Sequence, residues 1–129
     1  MGSVLTNMSH ASTRQALLLL PLLFASLPAA AHSELRRSVP AAGAVLMQAP
    51  EQMELHFNER VQLTALRLFR DGSEEVSLPR RAIRTATTEI IALPPLPPGA
   101  YRAEWRIIST DGHPAGGTIP FRIEAPNRP

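Results

Sequence analysis

Two short stretches of this 129-residue chain hold the side chains best suited to chemistry: His32, which follows Ala29-Ala30-Ala31, and Asp111-Gly112-His113. If the chain is cut after Ala31, His32 becomes its first residue. A first-position histidine offers a free amine and an imidazole, and together they can chelate one metal ion. Asp111 and His113, two apart in an expected loop, can converge on the same ion, with Gly112 letting the backbone turn tightly. Alone, Asp-Gly-His is a weak signal, because Asp-Gly is a common turn pair. With His32 the set becomes three nitrogens and one oxygen. Such nitrogen-rich, tetragonal coordination suits Cu(II), which also tops the divalent affinity order. Zinc would accept the same ligands but more naturally takes a tetrahedron.

Other chemistries find less support. There is no nucleophile elbow, no phosphate-cradling glycine loop and no pair of carboxylates at a suggestive spacing. The chain has no cysteine, so thiolate ligands and disulfides are excluded. Met47, Met53 and His56 are a conceivable soft-ligand cluster for Cu(I), but thioether sites need several converging sulfurs. Met53 is in phase with Leu55 and Phe57 and reads as core, while His56 falls on the opposite, exposed face. All 13 basic residues are arginine. Past residue 31, 12 arginines face 11 acids, so the high pI reflects arginine in place of lysine rather than a large positive excess. Interspersed charge, few aromatics and no reading motif argue against nucleic-acid binding.

The elements that must position these residues follow from the patterning. Arg14, the 12-residue apolar stretch 16–27 and small residues at 29 and 31 read as a secretory signal peptide cut after Ala31. The stretch is too short for a good membrane anchor, and His10 is lost with it. Cleavage leaves residues 32–129, enough for one small core. Export without disulfides suits a bacterial periplasm. Met53, Leu55 and Phe57 alternate with Glu54, His56 and Asn58, which predicts a half-buried strand. A second strand is expected over 61–70, ended by Asp71-Gly72, with short strands at 75–78 and 89–93. Tyr101, Ala103, Trp105 and Ile107 share one strand face, and Ile119, Phe121 and Ile123 form a closing strand in which Pro120 suggests an edge or a bulge. Short strands, Pro/Gly turns and no convincing helix point to an all-β domain, a small Greek-key sandwich or barrel. Trp105 is expected between the sheets. The domains are 1–31 as leader, 32–125 as the β-domain and 126–129 as a tail.

Several stretches carry a resemblance: His32-Ser33-Glu34-Leu35, Ser38-Val39-Pro40-Ala41, Gly43, Leu55-His56-Phe57-Asn58-Glu59-Arg60-Val61, and 96–99 with Tyr101. Trp105-Arg106-Ile107-Ile108-Ser109-Thr110-Asp111-Gly112-His113-Pro114 is the most specific, with Gly117 and Phe121 after it. In these the chain resembles the CopC family of periplasmic copper-binding proteins. The resemblance implies a cupredoxin-like, immunoglobulin-like β-sandwich and a Cu(II) site of His32, through amine and imidazole, with Asp111 and His113. It also implies a place for Glu59 outside the ligand set, where it would orient the amine or an imidazole by hydrogen bonding. Better-known members add a methionine-rich Cu(I) site mid-domain. Residues 71–83 contain no methionine here, which implies a single Cu(II) site. Members are often associated with a CopD-type inner-membrane protein, in copper tolerance or uptake.

That makes a carrier or buffer, not an enzyme, the first expectation. A copper brace of the lytic polysaccharide monooxygenase kind is the alternative. Against it stand the small domain, the absence of an exposed aromatic platform, and Asp111 crowding the position oxygen needs. A metal-free interaction domain of immunoglobulin type is a third reading, and predicts scattered rather than clustered ligands.

Overall fold

The computed structural model describes residues 2–3 and 33–127. The described residues form seven strands and no helix: β1 (Leu35–Val39), β2 (Ala44–Leu46), β3 (Gln52–Arg70), β4 (Glu74–Val76), β5 (Thr85–Ala92), β6 (Gly99–Ser109) and β7 (Pro114–Ile123). The all-β class is borne out. All belong to one curled sheet with the path β1-β3-β6-β7-β2, and β4 and β5 also pair with β3. Every pairing is antiparallel except that of β2 with β7.

The two strands expected over 53–58 and 61–70 are one strand of 19 residues. Straight, it would run about 60 Å, far longer than a domain of about 100 residues with a radius of gyration near 13 Å allows. Two register breaks bend it. Between His56 and Val61 it advances five residues while β5 advances two, from Thr88 to Ala86. Between Leu63 and Ala65 it advances two while β6 advances one. The second break also shifts the side-chain phase. Met53, Leu55, Phe57, Val61 and Leu63 face the core before it, and Leu68 faces the core after it. Bulges re-aim side chains in this way.

β5 pairs with both sides of the first break, at Gln52–His56 and at Val61–Gln62. β1 and β6 must therefore take the opposite edge of β3, one after the other. β1 enters opposite Phe57, and β6 ends opposite Val61. The beginning of the described domain and the end of β6 thus meet beside residues 58–60.

The core is the one expected: Tyr101, Ala103, Trp105 and Ile107 from β6, and Ile119, Phe121 and Ile123 from β7, all buried. Trp105 meets Phe57 edge-on, with ring centroids 5.6 Å apart. Tyr101 stacks on Phe121 at 5.2 Å and donates its hydroxyl to the Pro97 carbonyl, fixing the Pro-rich turn to the sheet. With both rings buried, neither supplies an exposed aromatic platform. β1 and β2 were not expected, because they bury little: Ser38 is the one buried residue in β1, and β2 has none. Pro120 makes no bulge; it stays in register opposite Arg102. It sits one residue before β2 begins to pair with β7 at Phe121, so its missing N–H falls where that edge passes from free to paired.

Gly117 pairs directly with Trp105. A Cβ there would lie 2.8 Å from Trp105 Cζ2, so the absent side chain is what seats the indole. Gly117→Ala is expected to cost about 1–3 kcal/mol by overpacking, lowering Tm by roughly 5–20 °C. Thermal unfolding followed by the fluorescence of the single tryptophan measures this. An unchanged Tm would show that the indole does not rest on Gly117.

Candidate metal centre

The loop that joins β6 to β7 is short because Ser109 closes it from within. Ser109 N donates to the His113 carbonyl at 2.9 Å, and the Ser109 carbonyl accepts from Gly112 N at 2.9 Å. Gly112 takes φ +86°, a left-handed conformation that suits glycine. This closure presents Asp111 and His113 on the same side of the turn. Their side chains are 65% and 80% exposed, yet they meet: His113 Nδ1 lies 2.9 Å from Asp111 Oδ2.

An ionised carboxylate can only accept, so Nδ1 carries the proton of that bond. Asp111's other oxygen, Oδ1, accepts from the Ser109 hydroxyl. The Ser109 hydroxyl first, and the His113 imidazole second, hold the Asp111 carboxyl down to about 2 from an ordinary 3.8. The folded-state value is the depressed one. Its stabilisation is therefore complete above pH 3.8 and lost as pH falls toward 2. At neutral pH the carboxylate is ionised and available to a cation.

The donor pair fits a divalent metal. A cation bonded to both atoms at about 2.0–2.1 Å, with a right angle between the bonds, spans about 2.9 Å from N to O; at a tetrahedral angle the span is about 3.3 Å. The observed N-to-O spacing thus matches a cation held by both atoms once the Nδ1 proton is lost. Two donors do not complete a site, and among the described residues no three His, Asp or Glu side chains converge. His32, the remaining expected ligand, lies outside the described residues, as does most of the expected leader.

Glu59 sits in the first bulge of β3 and accepts a hydrogen bond from Ser33 Oγ. Next to it the entering chain is fastened twice. Glu34 N donates to Asn58 Oδ1 at 2.9 Å, and Asn58 N donates to the Glu34 carbonyl at 3.1 Å. Counting from the Val61↔Ser109 pair, Glu59 and Asp111 each lie two residues beyond it. Glu59 belongs to this end of the sheet without joining Asp111 and His113 as a donor.

His56 is not the exposed histidine expected. It is partly buried, with Nε2 3.0 Å from Glu54 Oε2 and 3.1 Å from Arg37 Nη2, and Nδ1 3.3 Å from Thr88 Oγ1. This network on the outer face of β1, β3 and β5 commits both ring nitrogens. Met53 is buried in the core and Met47 is exposed after β2. Ser109 is the residue that reasoning from the sequence passed over. A serine two places before an aspartate in a turn was its only trace.

A family model described as the CopC domain matches residues 35–124. The chain is 35% identical over 107 residues to copper resistance protein C of Escherichia coli, covering 74% of this chain and 84% of that protein. It is 34% identical over 112 residues to copper transport protein CutJ of Bacillus subtilis, covering 83% of this chain but 21% of CutJ, so it spans about a fifth of that relative. Among solved structures, PcoC, a methionine-rich copper resistance protein from Escherichia coli, aligns with a TM-score of 0.58 at 33% identity, covering 73% of this chain and all of PcoC. CopC from Methylosinus trichosporium OB3b aligns with a TM-score of 0.64 at 21% identity, over 75% of this chain and 98% of that one, a likeness of fold.

Proposed function

The chain belongs to the CopC family, and from that premise we propose that it is an exported, periplasmic copper-binding protein that carries or buffers Cu(II) without catalysing a reaction. The observation that carries this reading is the Asp111–His113 pair, joined at 2.9 Å and open to solvent on a loop closed by Ser109. Relatives whose names include copper resistance and copper transport set the metal. In this reading residues 1–31 are a leader, 32–125 the binding domain and 126–129 a tail. Cleavage after Ala31 frees the amine of His32, which binds with its imidazole, alongside Asp111 and His113. Glu59 lies outside the ligand set and orients what enters beside it.

Two features support the amine's place. Ser33, the next residue along from His32, is held by Glu59. Glu34 is held by Asn58, on the β3 edge where β6 ends. The oxidation state follows from the donors: nitrogen and oxygen ligands suit Cu(II), whereas Cu(I) favours sulfur. Residues 71–83 hold no methionine, and Met53 is committed to the core, which supports one site. A CopD-type inner-membrane protein is the proposed partner in transfer.

Titrating copper into protein that begins with His32 tests the reading. The expected result is one Cu(II) per chain, with Asp111→Ala and His113→Ala each weakening it. At a copper activity about 1,000 times Kd the metal adds roughly 4 kcal/mol, raising Tm by roughly 15–30 °C for a domain of this size. Absence of saturable uptake would sink the proposal.

A further inference from the structure

We propose that Ser109 is a positioning residue for the cation. Buried at the end of β6, it fixes Asp111 and the backbone of His113 before a metal arrives. The inference rests on the copper reading above and adds a residue to it.

Asp111 and His113 are exposed, and nothing about an exposed loop requires two such side chains to keep one geometry. Ser109 supplies the constraint from below. It is buried, with 6% of its surface exposed, and all its polar groups are spent on the loop. Its N–H and carbonyl bond to His113 and Gly112. Its hydroxyl donates to Asp111 Oδ1 and accepts from the His113 N–H at 3.0 Å. A hydroxyl has one proton and two lone pairs, so both bonds are made at once. One oxygen atom thus ties the side chain of one ligand to the main chain of the other. Burial of the residue limits water as an alternative partner.

The two oxygens of Asp111 then have separate tasks. Oδ2 faces His113 Nδ1, the position a cation would take over from the proton. Oδ1 faces Ser109. Loading through Oδ2 leaves the Ser109 bond untouched, so the same clamp serves the empty and the loaded loop. Partners of this kind, lying behind a ligand, typically change metal affinity by about 10–100-fold when removed.

The test uses protein beginning with His32, as wild type, Ser109→Ala and Ser109→Thr. In Ser109→Ala we expect Cu(II) affinity to fall about 10–100-fold at unchanged stoichiometry, and amide hydrogen exchange at His113 to accelerate in metal-free protein. Ser109→Thr keeps the hydroxyl and should recover most of both. A folded Ser109→Ala protein with wild-type affinity and wild-type exchange at His113 would overturn the proposal. If Ser109→Ala does not fold, the wild type decides. A His113 amide exchanging as fast as in an unstructured peptide overturns the inference, and a protected one upholds it. If wild type takes up no copper, the functional reading fails separately. Exchange at His113 in metal-free wild type and Ser109→Ala then still reads whether Ser109 holds the loop.

Discussion

Protein carrying one extra residue ahead of His32 should bind Cu(II) more than about 100-fold more weakly than protein that begins with it, a larger loss than removal of a supporting partner causes. The extra residue turns the amine of His32 into an amide and moves the free amine one residue away, so amine and imidazole no longer close the chelate ring of a first-position histidine. The donors held in the proposed geometry drop from three nitrogens and an oxygen to two nitrogens and an oxygen. The pH dependence should change with it. A free α-amine has a pKa near 7.7–8.0, and metal must displace its proton. Affinity of the cut protein should therefore climb through that range, and affinity of the extended protein should climb less. Competition titrations against a chelator, at pH 6.5 and 8.5, measure both. Equal affinities for the two proteins would remove the amine from the site.

Trp105→Ala should be the most damaging single change outside the loop. The indole is buried, meets Phe57 edge-on and occupies the space left open at Gly117. Emptying such a position costs about 3–5 kcal/mol, against a total stability of about 5–15 kcal/mol for an ordinary domain. There is no cysteine, so no crosslink limits the unfolded chain. Urea denaturation should show a midpoint lowered by about a fifth or more, with the slope kept. A midpoint near wild type would mean that the curled sheet packs its core without the indole. Copper uptake should fail in this variant only as far as folding fails, which separates it from Asp111→Ala.

What could be read in the chain tracks how local each feature is. The alternations at Met53–Phe57, Tyr101–Ile107 and Ile119–Ile123 appear in the structure because one buried face imposes period two on its own strand. β1 and β2 were illegible because they bury almost nothing and exist through their pairing with β3 and β7. The continuity of β3 was hidden by Asn58-Glu59-Arg60, which breaks the alternation and is absorbed by a bulge. The phase shift at Thr64 depends on a partner strand no local window contains. The site divides the same way. Asp111 and His113 meet because they are two apart in one turn, and that spacing is visible. Glu59 with Ser33 depends on strand register, and the Ser109 clamp depends on hydrogen bonds that residue types alone do not determine.

The end-to-end placement of β1 and β6 on one edge of β3 has a consequence for when the proposed site exists. His32 and Asp111 are about eighty residues apart in the chain, and only the finished sheet brings the segments beside them together. A nascent chain, an unfolded chain or one still carrying its leader would each lack the full set of donors. Copper capture would then be conditional on crossing the membrane, being cut and completing the fold. On the proposed reading, the protein would travel through the cytoplasm without competing there for the metal it is proposed to hold outside.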